Sequence, residues 1–518
     1  MKKMSIKVAC FYTAIALTFV TQSYGQVPHI EWQKPIGGTA GCEAMAVKQT
    51  SDGGYISAGN SEANPYIHDN HGGSDFWVVK MSAYGITEWQ VSLGGSNNDD
   101  ARAIEQTSDG GYIVAGSASS ADGEVTGNHG FEDCWIVKLD NTGTIQWQKS
   151  IGGSNYDVAN AIHQTTDGGY IIAGTSYSAD DDVPANHGSS DYYIVKLDAT
   201  GAIEWKKSYG GSGDDVALSV IQAYDHGYVV AGYSNSTNGD VANHHGNFND
   251  CWILKLTTTG NIEWQKSLGG TNDDYAYSVI QSSDSSFVLA CTTDSYDGDV
   301  TINHGGLDCW IVKLNASGSI LWQKSYGSST GDDYANSISE TADHGYIFAG
   351  NSSGYDGDLT TNHGSFDVWV VKINGAGSLE WQKSIGGPGD DVANMVEQTA
   401  DGGYVMAGRA NGNGGDISGE LACWNYWILK IGNNISTKTN SVGIMSLITL
   451  KPNPTTGEIM INGAGNAGVK VLSVTGQLIK DYGHTETISI ADLPAGMYLV
   501  QLFGEQGAME YSEKVIKQ

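Results

Sequence analysis

The chain has 518 residues, more than one ordinary core needs, which calls for several domains or a repeat array. Its 58 acidic residues against 26 basic ones give a formal charge of -32, which repels phosphate backbones and anionic membranes. Nucleic acid is therefore a poor partner, metal cations and neutral ligands stay open, and the 70 glycines fall at fixed turn positions rather than in a disordered tract.

In chain order, residues 1–25 read as a signal peptide. Lys2, Lys3 and Lys7 make a basic start, Val8 to Val20 an apolar run, and Ser23-Tyr24-Gly25 a small-residue cleavage site. The run is too short to span a bilayer well and no later run is long enough, so a mature chain beginning near Gln26 is expected outside the cytoplasm without a transmembrane segment.

Residues 26–431 repeat one pattern, seen most plainly from Asp133 to Gly174: DCWIVKLDNTGTIQWQKSIGGSNYDVANAIHQTTDGGYIIAG. Short apolar runs bounded by Gly, Asn and Asp are strand signals, and the helical period is absent. The tryptophan of the Trp-Gln-Lys run recurs at Trp32, Trp89, Trp147, Trp205, Trp264, Trp322 and Trp381, at intervals of 57, 58, 58, 59, 58 and 59 residues. Seven copies of a four-strand unit at this period predict a β-propeller or a solenoid. The array opens on a lone Trp-Gln-Lys strand, Ile30 to Lys34, and closes on the other three, Asp391 to Ile431. That permutation predicts a seven-bladed ring whose N-terminal strand completes the last blade, whereas a solenoid would want polar caps. The WIVKL and YIIAG runs are apolar on both faces, as blades stacked face to face require.

The sequence WIVKLDNTGTIQWQKSIGGSNYDVANAIHQTTDGGYIIAGTS resembles the bacterial β-propeller repeat over roughly residues 30–431. The resemblance implies a fold and no particular reaction. A polar linker, 432–446, follows. From 447 to 518, alternating apolar residues between Gly and Asn turns predict a small β-sandwich. There Pro452-Asn453-Pro454-Thr455-Thr456-Gly457, Leu493-Pro494-Ala495-Gly496-Met497-Tyr498 and Lys514-Val515-Ile516-Lys517 closely resemble the type A sorting domain of the type IX secretion system. This implies contact with that machinery, export across the outer membrane of a Bacteroidetes-type bacterium, removal of the domain, and surface attachment or release.

Candidate chemistry collects on one predicted face of the ring, where long loops such as Asp297-Gly298-Asp299 meet acidic pairs such as Asp273-Asp274. With Asp356 and Asp358 these could hold calcium, since clustered carboxylates suit a hard cation, or they could cap turns by accepting backbone N–H groups. The Asn-His-Gly-type triplets with nearby Asp75, Asp133, Asp191, Asp250, Asp308 and Asp367 recur in six loops, which fits a loop anchor better than zinc or a catalytic base. Departures from the repeat are the better pointers to function. Trp424 alone of the 14 tryptophans leaves the repeat positions, and beside it stand Tyr426 and Arg409, one of only two arginines. Tyr66 and His68 in the first loop, and Tyr177, Tyr296 and Tyr355 in others, join it as candidate contacts for a glycan or protein; otherwise Trp424 plugs the seam of the ring. Of seven cysteines, Cys134, Cys251 and Cys309 read as buried small hydrophobes, whereas Cys42 and Cys423 depart from the repeat on neighbouring blades and predict a seam disulfide.

No Walker loop, G-x-S-x-G elbow or H-E-x-x-H is present, so the first expectation is an exported binding module. The alternatives are a secreted polysaccharide hydrolase using carboxylates such as Asp416 and Glu420, and a structural component of an extracellular matrix.

Overall fold

The computed structural model describes residues 27–37, 41–62, 70–418, 423–433, 449–451, 455–462, 468–473, 478–485, 487–503 and 509–517. The expected signal peptide lies outside them. Among the described residues every regular element is a β-strand, and the chain divides into two units, Met1–Ile435 and Ser436–Gln518.

In the first unit the repeat folds into seven four-stranded antiparallel sheets in a propeller-like arrangement. One sheet runs Asp157–Gln164, Tyr170–Ser176, Asp191–Leu197 and Ile203–Tyr209 in chain order. Both middle strands are buried along their whole length, because neighbouring sheets cover both faces. Five further sheets are likewise consecutive. The remaining one takes Val392–Gln398, Tyr404–Ala410 and Asn425–Ile431, then borrows the first strand, Ile30–Ile36, which pairs with Asn425–Ile431 through Lys34↔Ile428 and Ile36↔Tyr426.

The joint between this sheet and Cys42–Gln49 is built like every other. Trp32 meets Tyr55 edge-on at 5.4 Å, as Trp89 meets Tyr112 at 5.7 Å and Trp381 meets Tyr404 at 5.7 Å. Cys42, Ala44, Val47, Trp77 and Val79 share one apolar cluster with Val405, Ala407, Tyr426 and Ile428. A belt of side chains also runs round the ring. The residue ending each sheet's first strand accepts an N–H from the preceding sheet's turn: Gln106 from Ser51, Gln164 from Ser108, and across the seam Gln49 from Ala400, each at 2.8 Å. Each of those turns is pinned within its own sheet by a buried lysine, as Lys138 pins Asp109 at 3.0 Å and Lys313 pins Asp284 at 2.7 Å.

All seven first strands line one central cavity of about 340 Å³. Each carries a bulge after its third or second residue, between Ala101 and Ala103 for example, and the extra residue (Met45, Arg102, Asn160, Leu218, Tyr277, Asn336 or Asn394) lines that cavity. A small alanine precedes the bulge in every strand, and alanine or serine follows it in all but Val392–Gln398, which allows the strands to crowd together there.

The second unit contains a three-stranded sheet, Thr449–Lys451, Glu458–Asn462 and Thr487–Ser489, and a four-stranded one, Leu478–His484, Gly468–Ser473, Gly496–Phe503 and Met509–Lys517. Ile459, Ile461, Val469, Val471, Val500, Leu502 and Val515 from both sheets form one apolar cluster. Of the Pro-Asn-Pro-Thr-Thr-Gly motif, Thr455 donates its N–H to the Ile516 carbonyl at 2.8 Å and Gly457 its own to Thr455 Oγ1 at 2.9 Å, while residues 452–454 lie outside the described residues.

Candidate functional site

The residues that depart from the repeat meet at the seam. A cavity of about 600 Å³ opens there, lined among others by Glu43, Asn60, Glu62, Asp100, Arg409 and Trp424. Arg409 and Asn60 occupy the same place in their sheets, one residue past the strand's glycine, where Ser117 and Thr175 stand elsewhere. The Arg409 guanidinium donates to Glu43 Oε2 at 3.1 Å and lies 4.5 Å from the Trp424 ring centroid, a cation–π contact that holds the indole in place. Glu43 also accepts from Asn394 Nδ2 at 2.8 Å, and the Cys42 N–H donates to the Trp424 carbonyl at 3.1 Å. Trp424 is 44 % exposed despite these ties. Two polar atoms of the site are buried without a hydrogen-bond partner, Asn60 Oδ1 and Arg409 Nε.

The predicted contact residues divide. Trp424 and Arg409 are brought together. Tyr177, Tyr296 and Tyr355 are exposed, but none lines this cavity. Tyr66 and His68 lie outside the described residues, as does Glu420. Tyr426 requires a correction: it is fully buried, stacked edge-on against Trp77 at 4.8 Å, because Asn425–Ile431 is covered on both faces and alternation turns this ring towards the seam. The expected Cys42–Cys423 disulfide is also absent. Cys42 points into the seam cluster, while Cys423 Sγ lies 3.5 Å from the Trp424 carbonyl. Asp416, the other proposed hydrolytic carboxylate, lies 3.9 Å from His363 Nε2 and not in the cavity.

Sequence reasoning missed Glu43, Asn60 and Glu62, and marks Asp100 only as a member of the loop-face acidic pair Asp99-Asp100. Comparing the repeats column by column would have found the first: Glu43 stands where Val158, Val216 and Val392 stand in other sheets. It also missed Phe131 and Tyr156, exposed and stacked at 5.5 Å with an interplanar angle of 13°.

The acidic loops cap turns instead of forming cation sites. Asp297 Oδ1 accepts the Thr271 N–H and Asp356 Oδ1 the Ser329 N–H, both at 2.8 Å. Asp299 and Asp358 face the N–H groups of Gly269 and Gly327 at 3.4 and 3.2 Å, and Asp273 accepts from Asn249 Nδ2 at 2.7 Å. Asp274 is buried and accepts from the Gly270 N–H and Ser295 Oγ, each at 2.8 Å. Among the described residues no three His, Cys, Asp or Glu side chains converge, whereas calcium takes six or more oxygens. Calcium at these loops is therefore not supported by the donor set.

The repeated histidines anchor loops. His129 donates its N–H to Asp133 Oδ2 at 2.9 Å and places Nδ1 2.8 Å from the same oxygen, and His304 and His363 repeat this on Asp308 and Asp367. At six joints that fully buried aspartate faces a second one from the next sheet, as Asp133 faces Asp157 and Asp308 faces Asp333. The two crowd one glycine: a Cβ on Gly327 would lie 2.4 Å from Asp308 Oδ1 and 2.8 Å from Asp333 Oδ2. At the seam the equivalent residues are Asn425 and Cys42, so both carboxylates are missing together.

Residues 449–518 match the model of the secretion system C-terminal sorting domain. The regulatory protein FlaEY of Caulobacter vibrioides is 22% identical over 428 residues, covering 74% of this chain and 44% of its own, so this chain spans less than half of that relative. Among solved structures, a fungal alcohol oxidase of the AA5 family, in complex with copper, aligns at TM-score 0.47 and 11% identity over 95% of this chain and 100% of its own. The extracellular domain of the putative one component system BT4673 from B. thetaiotaomicron aligns at 0.45 and 9% over 95% and 59%. At scores this low no property of this chain follows from the likeness. The protein is thus a β-propeller-like repeat array followed by a secretion system C-terminal sorting domain, a tail that indicates export by the type IX system to the cell surface or extracellular space.

Proposed function

We propose that the chain is an exported binding protein: a seven-bladed β-propeller that takes a glycan through the seam cavity, with the C-terminal unit a small β-sandwich that serves export. The single observation that carries this reading is Trp424. It is the one tryptophan outside the repeat, it is 44 % exposed, and Arg409 and the Cys42 N–H hold it at the rim of a cavity of about 600 Å³. A fixed aromatic face beside polar side chains is what a sugar ring stacks on. Arg409 and Glu43 set the platform's orientation, and Asn60, Glu62 and Asp100 supply acceptors for hydroxyl groups.

Glycan-array and titration binding by the purified chain tests this. Trp424→Ala should lower affinity for whatever oligosaccharide binds by tenfold or more, roughly the loss of one well-placed aromatic contact. Its thermal unfolding should stay near that of the parent. Unchanged binding by Trp424→Ala would remove the seam from the reading.

A further inference from the structure

We infer that the ligand of the seam cavity carries a protonated amine. This rests on the reading of that cavity as the binding site and names the chemistry it selects.

Three carboxylates, Glu43, Glu62 and Asp100, line the cavity against one guanidinium. Arg409 is already committed to Glu43 at 3.1 Å and to the Trp424 face at 4.5 Å. Asp100 receives only neutral donors, Asn60 Nδ2 at 3.1 Å and the Ser74 hydroxyl. Neither Asp100 nor Glu62 forms an ion pair among the described residues, so two negative charges face the cavity without a counter-charge. Between the sheets that carry them, Asn60 Oδ1 is a buried acceptor with no donor. An unpaired buried acceptor costs free energy that a ligand donor can recover. The lining thus offers acceptors and negative charge beside a single aromatic face, inside a chain of net charge -32.

An anionic sugar would meet two uncompensated carboxylates. A neutral one would stack on Trp424 but leave their charge unanswered. An ammonium brings three donors and a positive charge, which answers the charge of Asp100 and Glu62. The same chemistry occurs in an amino sugar and in a lysine side chain, and the stacking face of Trp424 favours the sugar.

The test is titration calorimetry on the purified chain with three oligosaccharides (glucosamine, N-acetylglucosamine and galacturonate) and a lysine-rich peptide. The glucosamine oligomer should bind about fivefold tighter than its acetylated counterpart, the worth of one partly exposed ion pair. That advantage should shrink as salt rises from low to physiological strength. Glu62→Gln should bring the ratio close to one by weakening the glucosamine oligomer more than its acetylated counterpart, and because Glu62 is exposed the variant should fold as the parent does. A peptide that binds tighter than the amino sugar would keep the ammonium and move its source to protein. Equal or tighter binding of the acetylated or uronate oligomer would overturn the amine while leaving the binding site in place. Binding of an oligomer that Trp424→Ala does not alter would overturn the site, and the amine assignment with it.

Discussion

Tryptophan does more than one job in this chain, and burial sets the fully buried set apart from Trp424. Trp77, Trp135, Trp252, Trp310, Trp369 and Trp427 have essentially no exposed surface and fill the joints between sheets. Trp135 and Trp310 also donate their indole N–H to Gln148 and Gln323 at 2.8 and 2.7 Å, which settles the polar edge of a buried ring. Trp310→Ala should therefore lower unfolding stability by about 3–5 kcal/mol in a denaturant titration, through lost apolar contact and a cavity that neighbouring strands cannot close. Trp424→Ala removes a half-exposed ring and should change stability by no more than about 0.5 kcal/mol. The same pair of residues shows how far residue identity could be read. The regular spacing of the first set marks them as core, and the irregular place of Trp424 marks it as different. Neither fact says that Arg409 lies beneath the indole, because residues 409 and 424 are joined by a loop whose path the sequence does not dictate.

At the scale of the strand and its turns, two sets of aspartates respond to pH in opposite senses. Burial pushes the Asp133, Asp308 and Asp391 carboxyls up to about 6 and Asp274 up to about 7, against the hydrogen bonds they accept. The facing aspartate, such as Asp250 for Asp274, adds to the rise. A carboxyl raised in the folded state binds its proton more readily there than in the unfolded chain. Its contribution is present below the unfolded value near 3.8 and is lost as pH rises to 6 or 7. In the turns, partial burial would raise Asp52, Asp109 and Asp284, but hydrogen bonds from Thr50, Thr107 and Ser286 and the paired lysines outweigh it and hold them at about 2. Their contribution is present above 3.8 and is lost as pH falls towards 2. The melting temperature should accordingly peak near pH 4, decline from there to about pH 7 and level off above it, as read by calorimetry. Asp308→Asn copies the residue found at the seam, Asn425, and should flatten the decline between about pH 4 and 6; a steeper decline there would contradict the pairing.

At the scale of the whole first unit, closure depends on one short segment. Ile30–Ile36 is the outer strand of the last sheet, and Trp32 is its contact with the first. Deleting residues 27–37 should leave Asn425–Ile431 as an unpaired edge and strip the cover from Tyr55. An exposed, apolar edge strand invites pairing between molecules. Such a truncation should elute as soluble aggregate in size-exclusion chromatography with light scattering, where the parent elutes as a single species. A monomeric truncation with the parent's melting temperature would show that the belt, through Gln49 and Ala400, closes the ring unaided.

The sequence alone determined the period, the strand type and the tail. A 57-to-59-residue repeat with turn residues at fixed offsets admits few solutions, since local turn chemistry and two-faced apolar runs act within a sheet's own residues. The sorting motifs of the last residues were legible for the same reason: they are contiguous. Tertiary structure decided what the irregular residues are for. Tyr426 looks like a contact residue beside Trp424 in the chain, yet it stands in a strand that neighbouring sheets cover on both faces. The loop aspartates look like cation ligands, yet each spends its oxygens on a neighbouring N–H. Glu43, Asn60 and Asp100 come from three different strands and meet Arg409, more than 300 residues later, only because the ring closes. Charge and hydrogen-bond pairing depend on distance in space, and across a closed ring that distance is set by every sheet in between.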